Sequence, residues 1–372
     1  RVVKAFVRSD YEKEKFDKSV ADVREMQLKA EKLIVVMMPI MQMIVYLCIC
    51  AVLWFGGNKI VQGTMLTGEL ISFISYVTQI LMSLMMLSML LLNLVLSRAS
   101  IGRIVKVLDE VPDIQNGANA LDTIPDGSID FDDVYFSYKK GSENYILSDV
   151  NLHIKPGETI GILGGTGSAK STLVQLIPRL YDVSRGSVRV GGHDVREYDV
   201  EALRDAVAMV LQKNVLFSGT IRDNLRWGDK DATQEEIEAA CRAAQAHDFI
   251  MSFPNGYDTD LGQGGVNVSG GQKQRLCIAR ALLKHPKVVI LDDSTSAVDT
   301  ATDASIRRAL RDEFNHITTL IIAQRIASVM DADRIVVLND GRIEDVGTHD
   351  ELMARSEIYR EVYTSQMKGA EA

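Results

Sequence analysis

Hydrophobic residues are spread along this chain in two ways. From Leu33 to Phe55 no residue is charged and nearly all are apolar, and Ile71 to Leu96 repeats the pattern. At 1.5 Å per residue the first run makes a helix of roughly 35 Å, enough to cross a hydrocarbon core of about 30 Å. The cluster Gly56–Gly57–Asn58–Lys59 predicts a break after it, and Gly56–Leu70 carries only Lys59 and Glu69 as charges. Basic residues gather outside the pair: Lys29 and Lys32 before it, Arg98, Arg103 and Lys106 after it. The positive-inside rule then puts both outer flanks in the cytoplasm and the short loop outside. Pro39 is tolerable in such a helix, because neighbours re-satisfy the carbonyl it frees.

The second run has a readable face. Ser72, Ser75, Gln79, Ser83, Asn93 and Ser97 share one stripe at 100° per residue, and Met82, Met85, Met86 and Met89 occupy the adjoining one. Polar groups at this depth face other helices or water rather than lipid. Two readings stay open: a cavity wall for an apolar or amphipathic solute, or ordinary helix packing. A hairpin of two helices cannot enclose a solute path, so further helices must come from elsewhere.

From residue 98 the pattern changes. Residues 98–110 continue as a charged amphipathic helix, and Pro112 to Gly127, rich in Pro, Gly, Asn and Asp, reads as a linker. Residues 128–372 alternate strand-like and helix-like segments, the mark of an α/β domain. The 372 residues leave room for two or three domains. The net charge of −9 argues against a nucleic-acid partner, which would need a basic face. Cys48, Cys50, Cys241 and Cys277 form no disulfide framework and fit reduced thiols. The chain opens at Arg1, without Met and inside a charged helical pattern. It reads as truncated or processed, without a signal peptide.

One stretch carries chemistry by spacing alone. The strand-like Glu158–Leu163 is followed by Gly164–Gly165–Thr166–Gly167–Ser168–Ala169–Lys170–Ser171–Thr172 and a helical pattern from Leu173 to Leu180. Strand, glycine-rich loop and helix are the context of a phosphate-binding loop. Loop N–H groups would cradle phosphate, Lys170 would reach the β and γ oxygens, and Ser171 would hold Mg²⁺. Ala169 stands where such a loop has its second glycine. Its methyl is expected to crowd the β-phosphate, and Ala resists positive φ, so weakened ATP binding is expected here.

Val268–Ser269–Gly270–Gly271–Gln272–Lys273–Gln274–Arg275 resembles the signature of ABC transporters, about 20 residues before the strand that ends at Asp292. The whole chain resembles half-transporters of the P-glycoprotein-like exporter family. The resemblance implies a multidomain fold: an all-α transmembrane hairpin, then an α/β P-loop nucleotide-binding domain with a helical subdomain at about 214–267. It makes Val2–Phe6 a coupling helix within a cytosolic extension over 1–32, and the two apolar runs the fifth and sixth membrane helices within 33–110. The family's first four helices are absent from this chain. The bacterial plasma membrane is the implied location, with the nucleotide-binding domain in the cytoplasm and ATP and Mg²⁺ as cofactors.

Site residues follow from the same resemblance. Tyr138 matches the adenine-stacking aromatic, Gln212 the glutamine that touches Mg²⁺, and Asp292 the Mg²⁺ carboxylate. Ser294–Asp299 matches the loop that crosses to the partner, and Gly262–Gly265 the loop that senses the partner's coupling helices. Each ATP in the family lies between the phosphate loop of one half and the signature of the other, so Ser269, Gly270, Gly271 and Gln272 would serve the partner's ATP.

Two positions depart from the family. Asp293 stands where Glu polarises the attacking water, and Gln324 where His contacts the γ-phosphate. A misplacement of about 1 Å can cost on the order of 10²-fold in rate, and a lost transition-state donor about 10²–10³-fold. Both changes touch one ATP, while the signature is intact. The expected assembly is an asymmetric heterodimer in membrane lipid, an exporter of drug-like, lipid or peptide solutes. Its second half would carry the consensus Glu and His and an altered signature. The alternatives are a nucleotide-gated channel or regulatory subunit, a slow homodimer with Asp293 and Gln324 in both sites, and a soluble ABC protein, which the apolar hairpin opposes.

Overall fold

The computed structural model describes residues 2–293 and 298–368. The chain folds as two units, 1–111 and 112–372.

The first unit is helical. A short helix, Val2–Ala5, precedes a 53-residue helix, Ser9–Val61, and a 42-residue helix, Thr67–Leu108. Both long helices contain a stretch of mean hydropathy 2.3, and none of that stretch is buried by protein. A core helix of a soluble protein would be covered; these present their apolar surface outward, as membrane helices do. Gly56–Gly57–Asn58–Lys59 does not break the first helix, contrary to the sequence expectation: the helix runs on to Val61. The reason is packing. A Cβ on Gly56 would stand 2.3 Å from the Leu70 Cδ1 of the second helix. Gly56 thus admits Leu70, whose side chain is buried, and this close approach offsets the roughly 1 kcal/mol propensity cost of a mid-helix glycine. The turn falls later, at Gly63 with φ +72, and Glu69 closes it by accepting the Leu66 N–H at 2.9 Å.

The serines of the second helix are satisfied locally. Ser72, Ser75 and Ser83 donate to the carbonyls of Gly68, Ile71 and Gln79 at 2.9–3.0 Å. Such back-bonding lets a hydroxyl sit in an apolar setting without a partner helix.

The second unit is built on a six-stranded sheet. Its strands lie in the order Arg342–Gly347, Arg334–Asn339, Thr159–Leu163, Thr318–Ile322, Val288–Asp292 and Val207–Val210. All neighbours are parallel except the first pair. A parallel sheet is covered on both faces, and the near-continuous apolar strands show it. Val288 and Ile290 join one core while Val289 and Leu291 join the other, as period-two alternation requires. A four-stranded antiparallel sheet, with Leu147–Ile154, Ile129–Phe136, Arg185–Val190 and His193–Asp194 in that order, completes the first of these cores. Residues 112–127 have little regular structure but are tied down: the Leu121 N–H donates to Glu197 and its carbonyl accepts from Asp199. Between Phe217 and Leu261 lie the helices Ile221–Leu225, Gln234–Ala243 and His247–Met251 and a two-stranded ribbon.

The helix after the phosphate loop differs from expectation. It spans Lys170–Gln175 rather than Leu173–Leu180. Pro178 explains the early stop: it lacks an N–H and disfavours the helical state of the residue before it. Leu176 and Ile177 instead make tighter turns onto Leu173 and Val174.

The hairpin Arg334–Asn339/Arg342–Gly347 turns on Asp340 (φ +44) and Gly341 (φ +75), the positive pair that a two-residue type I′ turn needs. The Gly341 carbonyl accepts the Ser148 N–H of the antiparallel sheet at 2.9 Å, and a Cβ there would meet the Ile146 carbonyl oxygen at 1.9 Å. Gly341→Ala should therefore destabilise the domain by about 2–4 kcal/mol through strain and a backbone clash. Chemical unfolding of the purified protein checks this, and an unchanged midpoint would show that the two sheets do not depend on this contact.

Candidate nucleotide site

Three neighbouring strands end together. Ile322 is in register with Ile162 on one side and Asp292 on the other. The chain leaves this edge three times: into the loop Gly164–Lys170, into Asp293, and into Gln324. The shared edge opens into a cavity of about 430 Å³ lined by Gly164, Gly165, Thr166, Gly167, Lys170, Ser171, Gln212, Asp292, Asp293 and Gln324 among others.

The loop is shaped by its glycines. A Cβ on Gly164 would lie 2.3 Å from the Leu338 carbonyl oxygen, and Gly167 adopts φ +86. Ala169 takes φ +71 and ψ +24 as the residue before the helix, so the left-handed geometry survives without glycine. For an L-residue this state costs about 1–2 kcal/mol. Ser168 and Thr172 are buried beside it.

Lys170 Nζ donates to the carbonyls of Gly164 and Gly165 at 2.8 Å each, with Ser168 Oγ at 3.4 Å. Burial pushes the ammonium below its usual range, while Asp293 and Asp292 pull it back up. A polyanion at the loop would favour the charged form further. Ser171 Oγ donates to Asp292 Oδ1 at 2.9 Å. Burial raises the Asp292 carboxyl above its usual range; the Ser171 bond lowers it, the Asp293 charge raises it, and Lys170 lowers it. A cation beside this carboxylate would reverse that rise, so hydroxyl, carboxylate and the Gln212 amide fit Mg²⁺, which takes few protein ligands.

Asp293 is the meeting point. Its Oδ2 accepts from Gln324 Nε2 at 2.8 Å and from Gln212 Nε2 at 3.3 Å. Its backbone is left-handed, at φ +49, with the N–H donated to the Ile322 carbonyl.

The remaining expected residues stand apart from the cavity wall. Tyr138, half-exposed, packs edge-on against Phe136 and Tyr181 at 4.9 and 5.0 Å, and its hydroxyl lies 3.1 Å from Thr172 Oγ1. Ser269 caps the helix Gly270–Leu282: its side chain accepts the Gln272 N–H, and the Gln272 side chain accepts the Ser269 N–H at 2.8 Å. Gly270 and Gly271 fall in the first turn, where no earlier helical carbonyl is available to their N–H groups. Asp299 caps the helix Thr300–Glu313 by accepting the Thr302 N–H, which holds its carboxyl below the usual range. Ser294 to Ala297 lie outside the described residues.

Sequence reasoning missed one wall. Ile358, Val362 and Gln366 of the C-terminal helix Glu357–Lys368 also line the cavity. Their spacing of four puts them on one helix face, and a glutamine continuing an apolar stripe was the available signal.

The strain at Ala169 yields a test. Ala169→Gly should stabilise the domain by about 1 kcal/mol and tighten ATP binding. Urea unfolding and ATP titration measure the two effects, and no change in either would mean that the loop absorbs the methyl.

Comparison with known proteins gives the family. The ABC transporter family matches residues 147–296, and the ABC transporter transmembrane region matches residues 1–84. The ABC transporter ATP-binding protein YfiB of Bacillus subtilis is 41% identical over 98% of the chain and 63% of its own length. The ATP-dependent lipid A-core flippase of Desulfotalea psychrophila is 38% identical over 98% of the chain and 64% of its own length. The structure of a bacterial Atm1-family ABC exporter with ATP bound superposes with a TM-score of 0.90 at 31% identity, covering 98% of this chain and 64% of that one. The chain thus spans a little under two thirds of the proteins it matches. A phosphate loop, a buried carboxylate at the same sheet edge, a capped glycine pair and an uncovered apolar hairpin coincide with these matches, and the chain belongs to the ABC transporters, as an integral-membrane segment followed by a cytoplasmic ATP-binding domain.

Proposed function

We propose that this chain is part of one half of an ATP-driven exporter, and that its own site binds ATP but turns it over slowly. The carrying observation is the state of Asp293. Two amides, from Gln324 and Gln212, converge on its Oδ2. A carboxylate that polarises water must lie within hydrogen-bond reach of it. Asp293 is one methylene shorter than the Glu of a hydrolytic site, and its accepting oxygen is engaged by neutral donors. Gln324 supplies a neutral amide to the γ-phosphate where the family has His. Lys170 and the loop Gly164–Gly167 hold the phosphates, with Ser168, Ala169 and Thr172 completing the loop and its helix, and Tyr138 the platform for adenine. Ser171, Asp292 and Gln212 would hold Mg²⁺, whose charge offsets that of the phosphates.

The signature supports the other half of the proposal. Ser269 and Gln272 form an ordered cap, and the N-terminus of their helix favours an anion. That surface serves an ATP bound by a second half-transporter. We infer a different chain, with Glu and His at the matching positions and an altered signature opposite Lys170. The solute is apolar or amphipathic. The methionine stripe of the second helix suits this, and so do two relatives: the lipid A-core flippase, and a Bacillus subtilis protein, YgaD, named for multidrug export and 38% identical over 98% of the chain.

Asp293→Asn should leave most of the ATPase of the assembled transporter, whereas neutralising the partner's matching Glu should reduce it by on the order of 10²-fold or more. Steady-state ATPase of the two purified complexes decides the matter, and equal losses would sink the asymmetric reading.

A further inference from the structure

Gln366 sits near the end of the C-terminal helix Glu357–Lys368 and bonds to main chain on both sides of Arg325. Its Oε1 accepts the Ile326 N–H at 2.9 Å, and its Nε2 donates to the Gln324 carbonyl at 2.7 Å. Neither main-chain group has a natural helical or strand partner at this point. The strand ends at Ile322, and Ile326 opens the short 3₁₀ turn Ile326–Ser328, where a leading N–H lacks an earlier carbonyl. One side-chain amide thus spans the segment that carries Gln324. The Gln324 side chain in turn donates to Asp293 Oδ2 at 2.8 Å. Gln366 is itself exposed, so it acts through these two bonds and not by filling a core. Val362 and Ile358, one and two turns earlier, supply the packing that brings this helix face to the cavity.

We propose that Gln366 is a positioning residue for the nucleotide site: it holds the backbone at 324–326 so that the Gln324 amide meets the γ-phosphate. The proposal rests on the reading of Gln324 as a γ-phosphate contact. Its consequence is selective. ADP has no γ-phosphate, so loosening this segment weakens ATP and leaves ADP alone. A merely structural role would weaken both.

The test uses the full-length transporter in lipid nanodiscs, photolabelled with 8-azido-ATP or 8-azido-ADP. Labelled peptides of this chain are quantified by mass spectrometry, so that a partner's site does not enter. Gln366→Met keeps the side-chain length and removes both hydrogen bonds. The half-saturating concentration of 8-azido-ATP should rise about tenfold, with that of 8-azido-ADP held within about twofold, the scale expected when two hydrogen bonds are lost. Wild-type labelling by 8-azido-ATP, or equal weakening of both probes, would overturn the proposal. Gln324→Ala, run in parallel, separates the two ideas. If it shifts the ATP-to-ADP ratio and Gln366→Met does not, the positioning role fails alone. If Gln324→Ala leaves the ratio unchanged, the γ-phosphate contact fails and the positioning role falls with it.

Discussion

The register of three parallel strands governs everything at this site. Ile162, Ile322 and Asp292 lie side by side, so the phosphate loop, the buried carboxylate and the segment bearing Gln324 leave the sheet at one edge. That register holds because both faces of the sheet are buried. A slip of one residue would turn Val288 and Ile290 toward the core now filled by Val289 and Leu291. The polar site is therefore positioned by apolar packing on either side of it. None of its side chains needs to find its neighbours independently.

Much of this was legible in the sequence because it depends on local spacing. A strand, a glycine-rich loop and a lysine-serine pair specify a phosphate loop through backbone geometry alone. The buried strand ending at Asp292 is marked by its apolar run. The signature's cap follows from Ser269 with Gln272 three residues on, the spacing of a capping box. The uncharged runs announced their membrane character by length.

What was not legible depends on distant partners. Gly56 and Gly57 look like a break until Leu70 is seen to need the space at Gly56. Pro178 shortens a helix that apolar periodicity alone extends to Leu180. Gln366 lies 42 residues from Gln324, and its bonds are to main-chain atoms, which leave no trace in residue types. A side chain that recognises backbone is indifferent to the sequence it recognises. Such contacts are invisible until the fold brings the two segments together.

Two residues at this sheet edge, Ala169 in the loop and Asp293 in the cavity wall, hold left-handed backbone without being glycine. They differ in cost. A short polar side chain such as Asp visits that region more readily than Ala or Glu. The short side chain that would make Asp293 a weak base in the proposed function also suits it to φ +49. Replacing it with Glu would lengthen the carboxylate's reach and at the same time add backbone strain at the strand end. Placing a longer carboxylate here is thus a problem of main-chain conformation as well as side-chain length. Ala169 has no such compensation, because its methyl gains no hydrogen bond in return for the strain. Of the two departures, the one at 293 is consistent with its local backbone, and the one at 169 is borne by the rest of the loop.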